Sequence, residues 1–346
     1  MGRLDALDTM KALGLTLIVY GHVAHATTVP LTPPIYLKQF GVAFFLFATS
    51  FGLARERRSP LAAMARRLRP IYGYGLALAA LMTVIGAAAG SGFALSNFLP
   101  FAGGVNVVRD GFPVNPTTWY VGTYVHALLL WAVCLRRIVV QRWMIVLAIA
   151  IEIPVRAALL HLAGPYVAYM LLTNWLSVFL LGFYCGAQER AEPGRAPGQA
   201  ATITVALALV LAASAFVYQN FVHVIPTFPL MTAADLPGLT GELVISAGVS
   251  WLYLLTTGCV FAATRRIAAP APALFLARNS LIVFLVHMPV YFALTPLLSD
   301  LGLTYWPRAA VQFVVCLFGL ALLSEAIRTV LHAASLRRGV SLGFSS

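Results

Sequence analysis

Apolar stretches of about 20 residues follow one another along almost the whole chain, and this feature restricts the fold more than any other. A helix needs about 20 mainly apolar residues to cross the hydrocarbon part of a bilayer. Of the 346 residues, 60% are hydrophobic and 10% are charged, whereas soluble domains carry about 25% charged residues. Such a chain cannot surround itself with an aqueous surface. We therefore predict an all-α integral membrane protein.

The positions of these stretches predict about ten transmembrane helices. They lie near residues 9–29, 36–54, 71–89, 117–135, 143–162, 166–187, 201–222, 242–263, 275–297 and 308–333. Because they fill the chain from end to end, we expect residues 1–346 to form a single transmembrane domain with no appended soluble domain.

Basic residues cluster in alternate connections between the predicted spans. The clusters lie at residues 55–69, 135–143, 188–199, 264–278 and 336–339, while the other connections carry few cations. Cytoplasmic loops of membrane proteins are enriched in Lys and Arg. The alternation therefore places these connections and both termini in the cytoplasm. It also explains the net charge of +12 without a nucleic-acid partner.

The basic connection after the second span carries a helix signal of its own. Ser59 can cap a helix, and Pro60 suits the first helical position. Arg66, Arg67 and Arg69 follow within the next few turns. We predict a short separate helix at the membrane interface, with arginines that bind either lipid headgroups or an anionic ligand.

The first span contains ionisable residues within an apolar sequence. Lys11 lies at its predicted cytoplasmic mouth, and His22 follows about 16 Å deeper on nearly the same helix face. Asp8 is placed to pair with Lys11, and His25 lies one turn beyond His22. The alternatives are that Lys11 reaches out to the headgroups and that His22 bonds a neighbouring helix. Ionisable residues in spans are usually functional, so we interpret this stripe as a polar path.

Two later spans place further polar groups at comparable depth. Glu152 and Arg156 lie one turn apart in the fifth span, where they either line a polar site or satisfy each other as an i,i+4 pair. His287 lies about 10–12 Å into the ninth span. That span opens at its cytoplasmic end with Arg278, Asn279 and Ser280. Histidines from two helices behind a basic mouth indicate a passage for an anionic ligand.

On the opposite side, the longest connection leads into Trp119 and Tyr120 at the start of the fourth span. Flat aromatic faces beside amides and charges are typical of a sugar-binding surface. Trp and Tyr at a helix start are equally typical of the interfacial aromatic belt. Both interpretations stay open at this point.

The cysteines predict neither a disulfide framework nor a metal site. They fall inside apolar segments, with no close pairing in sequence. They are Cys134, Cys185, Cys259 and Cys316.

Residues 4–22, LDALDTMKALGLTLIVYGH, resemble the opening of the acyltransferase-3 family of membrane O-acyltransferases. The first helix of that family carries an arginine or lysine, ten further residues and a histidine, usually after an aspartate. Lys11, His22 and Asp8 match this pattern. Three further stretches, GVAFFLFATSFGLARERR, RRLRPIY and ARNSLIVFLVHMPV, are similar to the second helix, the basic start of the third helix and the penultimate helix of the family.

The resemblance implies an enzyme of the bacterial cytoplasmic membrane that moves an acyl group, commonly acetyl, from acyl-CoA to a hydroxyl of an extracytoplasmic or membrane-linked carbohydrate. His22 would be the base or the transient acyl acceptor, beside Lys11 and Asp8. Acyl-CoA would be a substrate and not a resident cofactor. The residues expected to bind it are Arg66, Arg67, Arg69, Arg278, Asn279 and Ser280. Those expected near the acceptor or the reacting groups are Trp119, Tyr120, Glu152, His287 and His25.

A different interpretation is a secondary transporter or flippase for an anionic solute, with Lys11, Glu152 and Arg156 along its path. The chain shows no clear halves with matched broken helices, which that class often has. Stabilisation by CoA esters, without stabilisation by simple anions, would favour the enzyme.

Overall fold

A computed structural model describes residues 4–25, 37–88, 118–191, 238–265 and 267–337, with a few isolated positions between them. Every regular element in these ranges is helical. The helices, numbered in chain order, are α1 (Asp5–His25), α2 (Leu37–Ala54), α3 (Pro60–Ala88), α4 (Trp119–Val133), α5 (Arg142–Leu162), α6 (Gly164–Met170), α7 (Leu176–Ala191), α8 (Leu239–Thr264), α9 (Ala271–Asp300), α10 (Tyr305–Val314) and α11 (Leu320–Arg337). A π-helical turn, Val315–Gly319, joins α10 to α11.

Five helices within the described ranges are long and apolar enough to cross a membrane. They are α3, α5, α8, α9 and the continuous stretch Tyr305–Leu331. Large apolar side chains stay on the outside of this bundle, as Val84 (66% exposed) and Trp143 (59% exposed) illustrate. Such a surface suits lipid, and the chain has the character of an integral membrane protein. The total of ten spans and the cytoplasmic location of both termini stay predictions. The span predicted at 201–222 lies outside the described residues.

The predicted separate interfacial helix is wrong, because the basic segment forms the first turns of one long helix, α3. The cap is present, since the Ser59 hydroxyl accepts a hydrogen bond of 3.4 Å from the N–H of Ala62. Pro70 lies inside α3 without ending it. A proline removes the hydrogen bond to the carbonyl four residues earlier, here that of Arg66. Arg66 is exposed, so water can satisfy this carbonyl and the helix continues.

The sixth span, predicted as one helix at 166–187, is interrupted. Helix α6 ends at Met170, and Leu171 has an extended backbone with φ −64° and ψ 145°. A 3-10 turn, Leu172–Trp175, then leads into α7. Irregular backbone at membrane depth is tolerated where other protein groups satisfy it. Here those groups come from α5, as the next section shows.

Helix α1 packs against α2, α8, α9 and α10, and α2 lies against both α1 and α7. Small residues make the α2–α7 approach close, because Gly182 and Gly186 of α7 have the GxxxG spacing. A β-carbon at Gly182 would lie 2.5 Å from the Phe47 carbonyl oxygen. One at Gly186 would lie 2.9 Å from the Phe51 Cα atom. Both obstacles are backbone atoms of α2, which cannot shift without separating the helices.

Replacing Gly186 with alanine is expected to destabilise the protein by about 1–3 kcal/mol, because the new methyl group overpacks this contact. The measurement is the Tm of the purified protein in detergent. Gly258→Ala is the matched control, since a β-carbon there would meet only the Leu181 side chain at 3.7 Å. Both changes raise helix propensity equally, so an equal Tm for the two variants would contradict the close α2–α7 contact.

Candidate active site

His22 lies one turn before the end of α1 and faces His287 of α9. The centroids of the two rings are 5.2 Å apart, and the ring planes are inclined by 50°. His287 is buried, at 1% exposure, and His22 is half-buried. The structure thus brings together two predicted site residues from opposite ends of the chain. Helix α1 ends at His25, whose side chain lies outside the described part of the structure.

A small cavity adjoins His22. Its volume of about 30 Å³ is enough for one or two water molecules. Besides His22, its lining residues are Ile18, Lys38, Val42, Trp119, Tyr169 and Phe284. The predicted residues His22 and Trp119 therefore share one site.

Lys38 is a site residue that its sequence context does not reveal. A lysine at the start of an apolar run usually extends to the headgroups, but Lys38 is only 7% exposed. Its stem packs on α1, where a β-carbon at Gly21 would lie 2.9 Å from the Lys38 Cβ atom. The packing of α2 on α1 thus turns this cation inward, to the cavity that His22 also lines.

Trp119 and Tyr120 begin α4 and form an aromatic wall beside the cavity. The Trp119 ring lies 4.9 Å from the ring of Tyr169, and the Tyr120 ring lies 5.1 Å from that of Phe284. Trp119 is buried, so it belongs to the protein interior and not to an exposed aromatic belt. Trp119 lines the cavity of His22, and its contact with a sugar stays a prediction.

At the other end of α1, Asp8 and Lys11 form the predicted ion pair, with 3.9 Å between the Lys11 Nζ and Asp8 Oδ1 atoms. Lys11 and His22 lie about 16 Å apart along the helix axis and on nearly the same face. Both residues therefore border the same side of α1, one near each end.

A larger cavity, of about 530 Å³, lies where α1 begins, α2 ends and α3 starts. This volume is in the range of small-molecule binding sites. Four arginines contribute to its lining: Arg55, Arg57, Arg58 and Arg66. This set is called the arginine cavity below. Its concentration of positive charge suits a ligand with several phosphate groups.

Glu56 also lines the arginine cavity and organises its loop. Its carboxylate accepts backbone hydrogen bonds from Arg57 at 3.1 Å and Arg58 at 3.2 Å, and forms ion pairs with Arg58 and Arg67. Partial burial raises the pKa of Glu56, but the hydrogen bond from the Arg58 N–H and the charges of Arg58 and Arg67 outweigh it, so the pKa is lowered overall. These contacts therefore stabilise the loop at neutral pH and are lost when the pH falls through the folded-state pKa.

The predicted donor-binding residues are distributed over two places. On α3, Arg66 lines the arginine cavity, Arg67 pairs with Glu56 at 3.8 Å, and Arg69 is exposed. The sequence pattern predicted the same role for these three arginines. Their different surroundings follow from the face of α3 on which each one lies.

Arg278 and Asn279 belong to a polar cluster between α9 and α11. Arg278 pairs with Glu325 at 3.2 Å, and the Asn279 amide donates to the same carboxylate at 3.2 Å. Arg328 pairs with Glu325 at 3.3 Å and donates to the Asn279 side-chain oxygen at 2.9 Å. Ser280 follows and is half-buried. The cluster anchors the start of α9 to α11.

Glu152 and Arg156 form a buried pair, 1% and 4% exposed and 3.9 Å apart, that joins three helices. The Glu152 carboxylate accepts hydrogen bonds from the N–H and the hydroxyl of Ser177, in the first turn of α7. Arg156 donates to both oxygens of Asn174 and to the Ser246 carbonyl. These hydrogen bonds satisfy backbone polar groups of the interrupted sixth span. Both Glu152 oxygens are used, which supports a structural role for the pair.

Comparison with known proteins identifies the family of the chain. A family profile described as an acyltransferase domain matches residues 4–325, nearly the whole chain. Comparison with curated proteins and with solved structures finds no significant match. The matched range contains both histidines, the lining of the arginine cavity, and the polar-cluster residues Arg278, Asn279 and Glu325. The chain belongs to the acyltransferase-3 family and is a membrane acyltransferase.

Proposed function

We propose that the protein is an acyl-CoA-dependent O-acyltransferase of the bacterial cytoplasmic membrane. It transfers an acetyl group from cytoplasmic acetyl-CoA to a hydroxyl of an extracytoplasmic or membrane-linked carbohydrate. The observation that carries this proposal is the placement of two sites along α1. The arginine cavity lies at the start of the helix, and the cavity of His22 lies near its end.

The chemistry of CoA fits the first site. Its phosphate groups carry several negative charges, and the arginine cavity stays positively charged although Arg58 pairs with Glu56, which also lines it. Arginine binds phosphate through two parallel hydrogen bonds, which adds orientation to attraction. With the basic connections in the cytoplasm, the arginine cavity also opens to the compartment that contains acyl-CoA.

The length of CoA is compatible with a donor that extends along α1. Its pantetheine arm has about as many chain atoms as four extended residues and spans about 15 Å, which is less than the roughly 22 Å between His22 and Leu7 of the arginine cavity. Lys11 and His22 are about 16 Å apart along α1, so the pyrophosphate lies near Lys11 when the thioester lies beside His22, and the phosphate on the ribose occupies the arginine cavity. The two cavities have no lining residue in common, and the His22 cavity has room for only one or two water molecules. We therefore expect the side chains between them to move when the donor binds.

The His22 cavity contains the groups that acyl transfer requires. In direct transfer, His22 takes the proton of the acceptor hydroxyl, whose oxygen attacks the thioester carbonyl. The buried Lys38 ammonium stabilises the negative charge that develops on the carbonyl oxygen. The C–S bond then breaks, and the CoA thiolate takes the proton from His22. In the alternative order, His22 itself attacks the thioester carbonyl, and the C–S bond breaks to release the CoA thiolate. The acceptor hydroxyl then displaces His22 from the acetyl group, and its proton ends on the CoA thiolate.

The aromatic wall supports a carbohydrate acceptor. Trp119 lines the His22 cavity, and Tyr169 and Tyr120 continue the wall on either side of it. Flat aromatic faces pack against the apolar C–H surface of a sugar ring. The wall lies at the end of α1 remote from the arginine cavity, so donor and acceptor approach from opposite ends of the helix.

The proposal is tested by incubating the purified protein with labelled acetyl-CoA, with and without candidate glycans. We expect glycan-dependent release of CoA thiol and transfer of the label to the glycan. Mass spectrometry of the His22 peptide after quenching distinguishes the two orders of transfer. The proposal would be contradicted if no acyl-CoA gave thiol release or labelled product with any of the glycans.

Replacing Arg66 with glutamine is expected to weaken CoA binding by about tenfold, because a charge-assisted contact with phosphate is lost. The measurement is the rise in Tm as CoA is added. Arg69→Gln is the matched control, since Arg69 is exposed on the same helix and does not line the arginine cavity. Equal weakening in both variants would argue for general attraction by the basic surface instead of a defined site.

The transporter interpretation is less well supported. Its path would include Glu152 and Arg156, yet these side chains are buried in contacts with α7 and α8. In the same Tm assay, a transporter for small anions would be stabilised by inorganic phosphate or acetate. We expect CoA and acetyl-CoA to stabilise the protein and these simple anions to have no comparable effect.

A further inference from the structure

The two nitrogens of the His287 ring have different surroundings. Nδ1 lies 3.1 Å from the Val283 carbonyl oxygen and 2.9 Å from the Phe284 carbonyl oxygen. Carbonyl oxygens only accept hydrogen bonds, so Nδ1 carries the proton in the neutral ring. Nε2 then has a free electron pair. It is buried and has no hydrogen-bond partner among the described residues.

A buried acceptor without a donor destabilises the folded protein, and such atoms are often found at functional sites. The ring beside this one is His22, with 5.2 Å between the centroids. That separation leaves room for a nitrogen-to-nitrogen hydrogen bond of about 3 Å when the His22 ring turns toward Nε2 of His287. An N–H group of His22 is therefore placed to supply the missing donor.

The backbone of α9 holds His287 in this position. The two carbonyl contacts of Nδ1 restrict the ring, and the Cys316 thiol donates to the His287 carbonyl oxygen at 3.5 Å. The ring also packs against Phe284 at 6.1 Å. His287 is thus oriented by its own helix and by the π-helical turn before α11, independently of His22.

We propose that His287 is a positioning residue that accepts the N–H of His22 through Nε2. This hydrogen bond selects the His22 tautomer whose other nitrogen is unprotonated and available to the acceptor hydroxyl. It also stabilises the His22 imidazolium until the CoA thiolate removes the proton. The inference rests on the proposed function of His22 as the base.

The role corresponds to that of the carboxylate that orients a catalytic histidine in acid–base triads. A carboxylate at this depth would be an additional buried charge, which is costly in a membrane interior. A neutral imidazole with its proton fixed on Nδ1 provides an acceptor without that charge. The histidine pair therefore has the same orienting role as a carboxylate–histidine pair, in a form suited to an apolar site.

The test compares two replacements of His287 in the full-length protein. Phenylalanine keeps the ring volume and removes the acceptor, and we expect a fall in kcat of about 100-fold with little change in KM for acetyl-CoA. Glutamine keeps one donor and one acceptor, and we expect kcat within about threefold of the unmodified protein. If the phenylalanine variant does not fold, His287→Leu takes its place. A folded variant without the acceptor that keeps its kcat would overturn the inference, and so would equal losses in the two replacements.

A second readout does not require acyl transfer, so it separates this inference from the proposed function. Diethylpyrocarbonate acylates an unprotonated imidazole nitrogen, and peptide mapping reports the rate at His22. We expect that rate to be about tenfold lower in His287→Phe than in the unmodified protein, and nearly unchanged in His287→Gln. An equal rate at His22 in all three proteins would overturn the pairing. The predicted pattern without any acyl transfer would retain the pairing and reject only the proposed function.

Discussion

Replacing His22 with alanine is expected to lower the rate of acetyl transfer by about 10³-fold, within the range for loss of a general acid–base group. The alanine variant is expected still to bind CoA, because the arginine cavity is remote from His22. Leu7, which lines that cavity, lies about 22 Å from His22 along α1. The effect therefore falls on kcat. Initial rates with labelled acetyl-CoA and a glycan acceptor measure it, and the CoA-dependent rise in Tm checks that donor binding persists.

The matched control for this experiment is His161→Ala. His161 lies on α5, is exposed and lines neither cavity. We expect this variant to retain the unmodified rate. A His22→Ala protein that folds, binds CoA and keeps more than about a tenth of the rate would exclude His22 from the chemistry, either as base or as acyl acceptor.

Replacing Arg156 with methionine is expected to destabilise the protein by about 3–5 kcal/mol, because Glu152 would stay buried without its cation. The same change removes the donors to Asn174 and Ser246, which support the interruption between α6 and α7. Thermal unfolding in detergent measures the loss. We expect the methionine variant to show the largest fall in Tm among the single replacements considered.

A double replacement distinguishes loss of the ion pair from a general packing defect. Adding Glu152→Gln to Arg156→Met removes the unpaired charge, so we expect part of the stability to return. Arg156→Lys serves as a charge-preserving comparison, and it is expected to stay unstable because an ammonium cannot reach Asn174 and Ser246 together. No recovery in the double variant would show that the buried charge is not the source of the loss.

Polar pairs close in sequence were predictable from spacing alone. Asp8 with Lys11, Glu152 with Arg156, and Glu325 with Arg328 each lie three or four residues apart, and the structure contains all three pairs. Residues at this spacing adjoin on any helix. The pairs therefore form regardless of which other helices pack against the helix that carries them.

The shape of the third and sixth spans was not predictable in the same way. The sequence predicted a short separate helix before the span at 71–89, yet α3 runs through both without a break. The apolar run at 166–187 suggested one helix, yet Arg156 and Glu152 hold an interruption within it. In each case, hydropathy records only that a segment is apolar. Whether its backbone bends depends on groups supplied by water or by other helices.

The sequence by itself determined the membrane class, the all-helical fold and the stripe that carries Lys11 and His22, because hydropathy and helical spacing act locally. Only the tertiary structure decided that His287 faces His22, that Lys38 lines the same cavity, and that Arg66 rather than Arg69 lines the arginine cavity. These contacts join residues far apart in the chain. They depend on how closely α1, α2 and α9 pack. Small residues such as Gly21 permit this close packing, but the sequence does not show which helix approaches them.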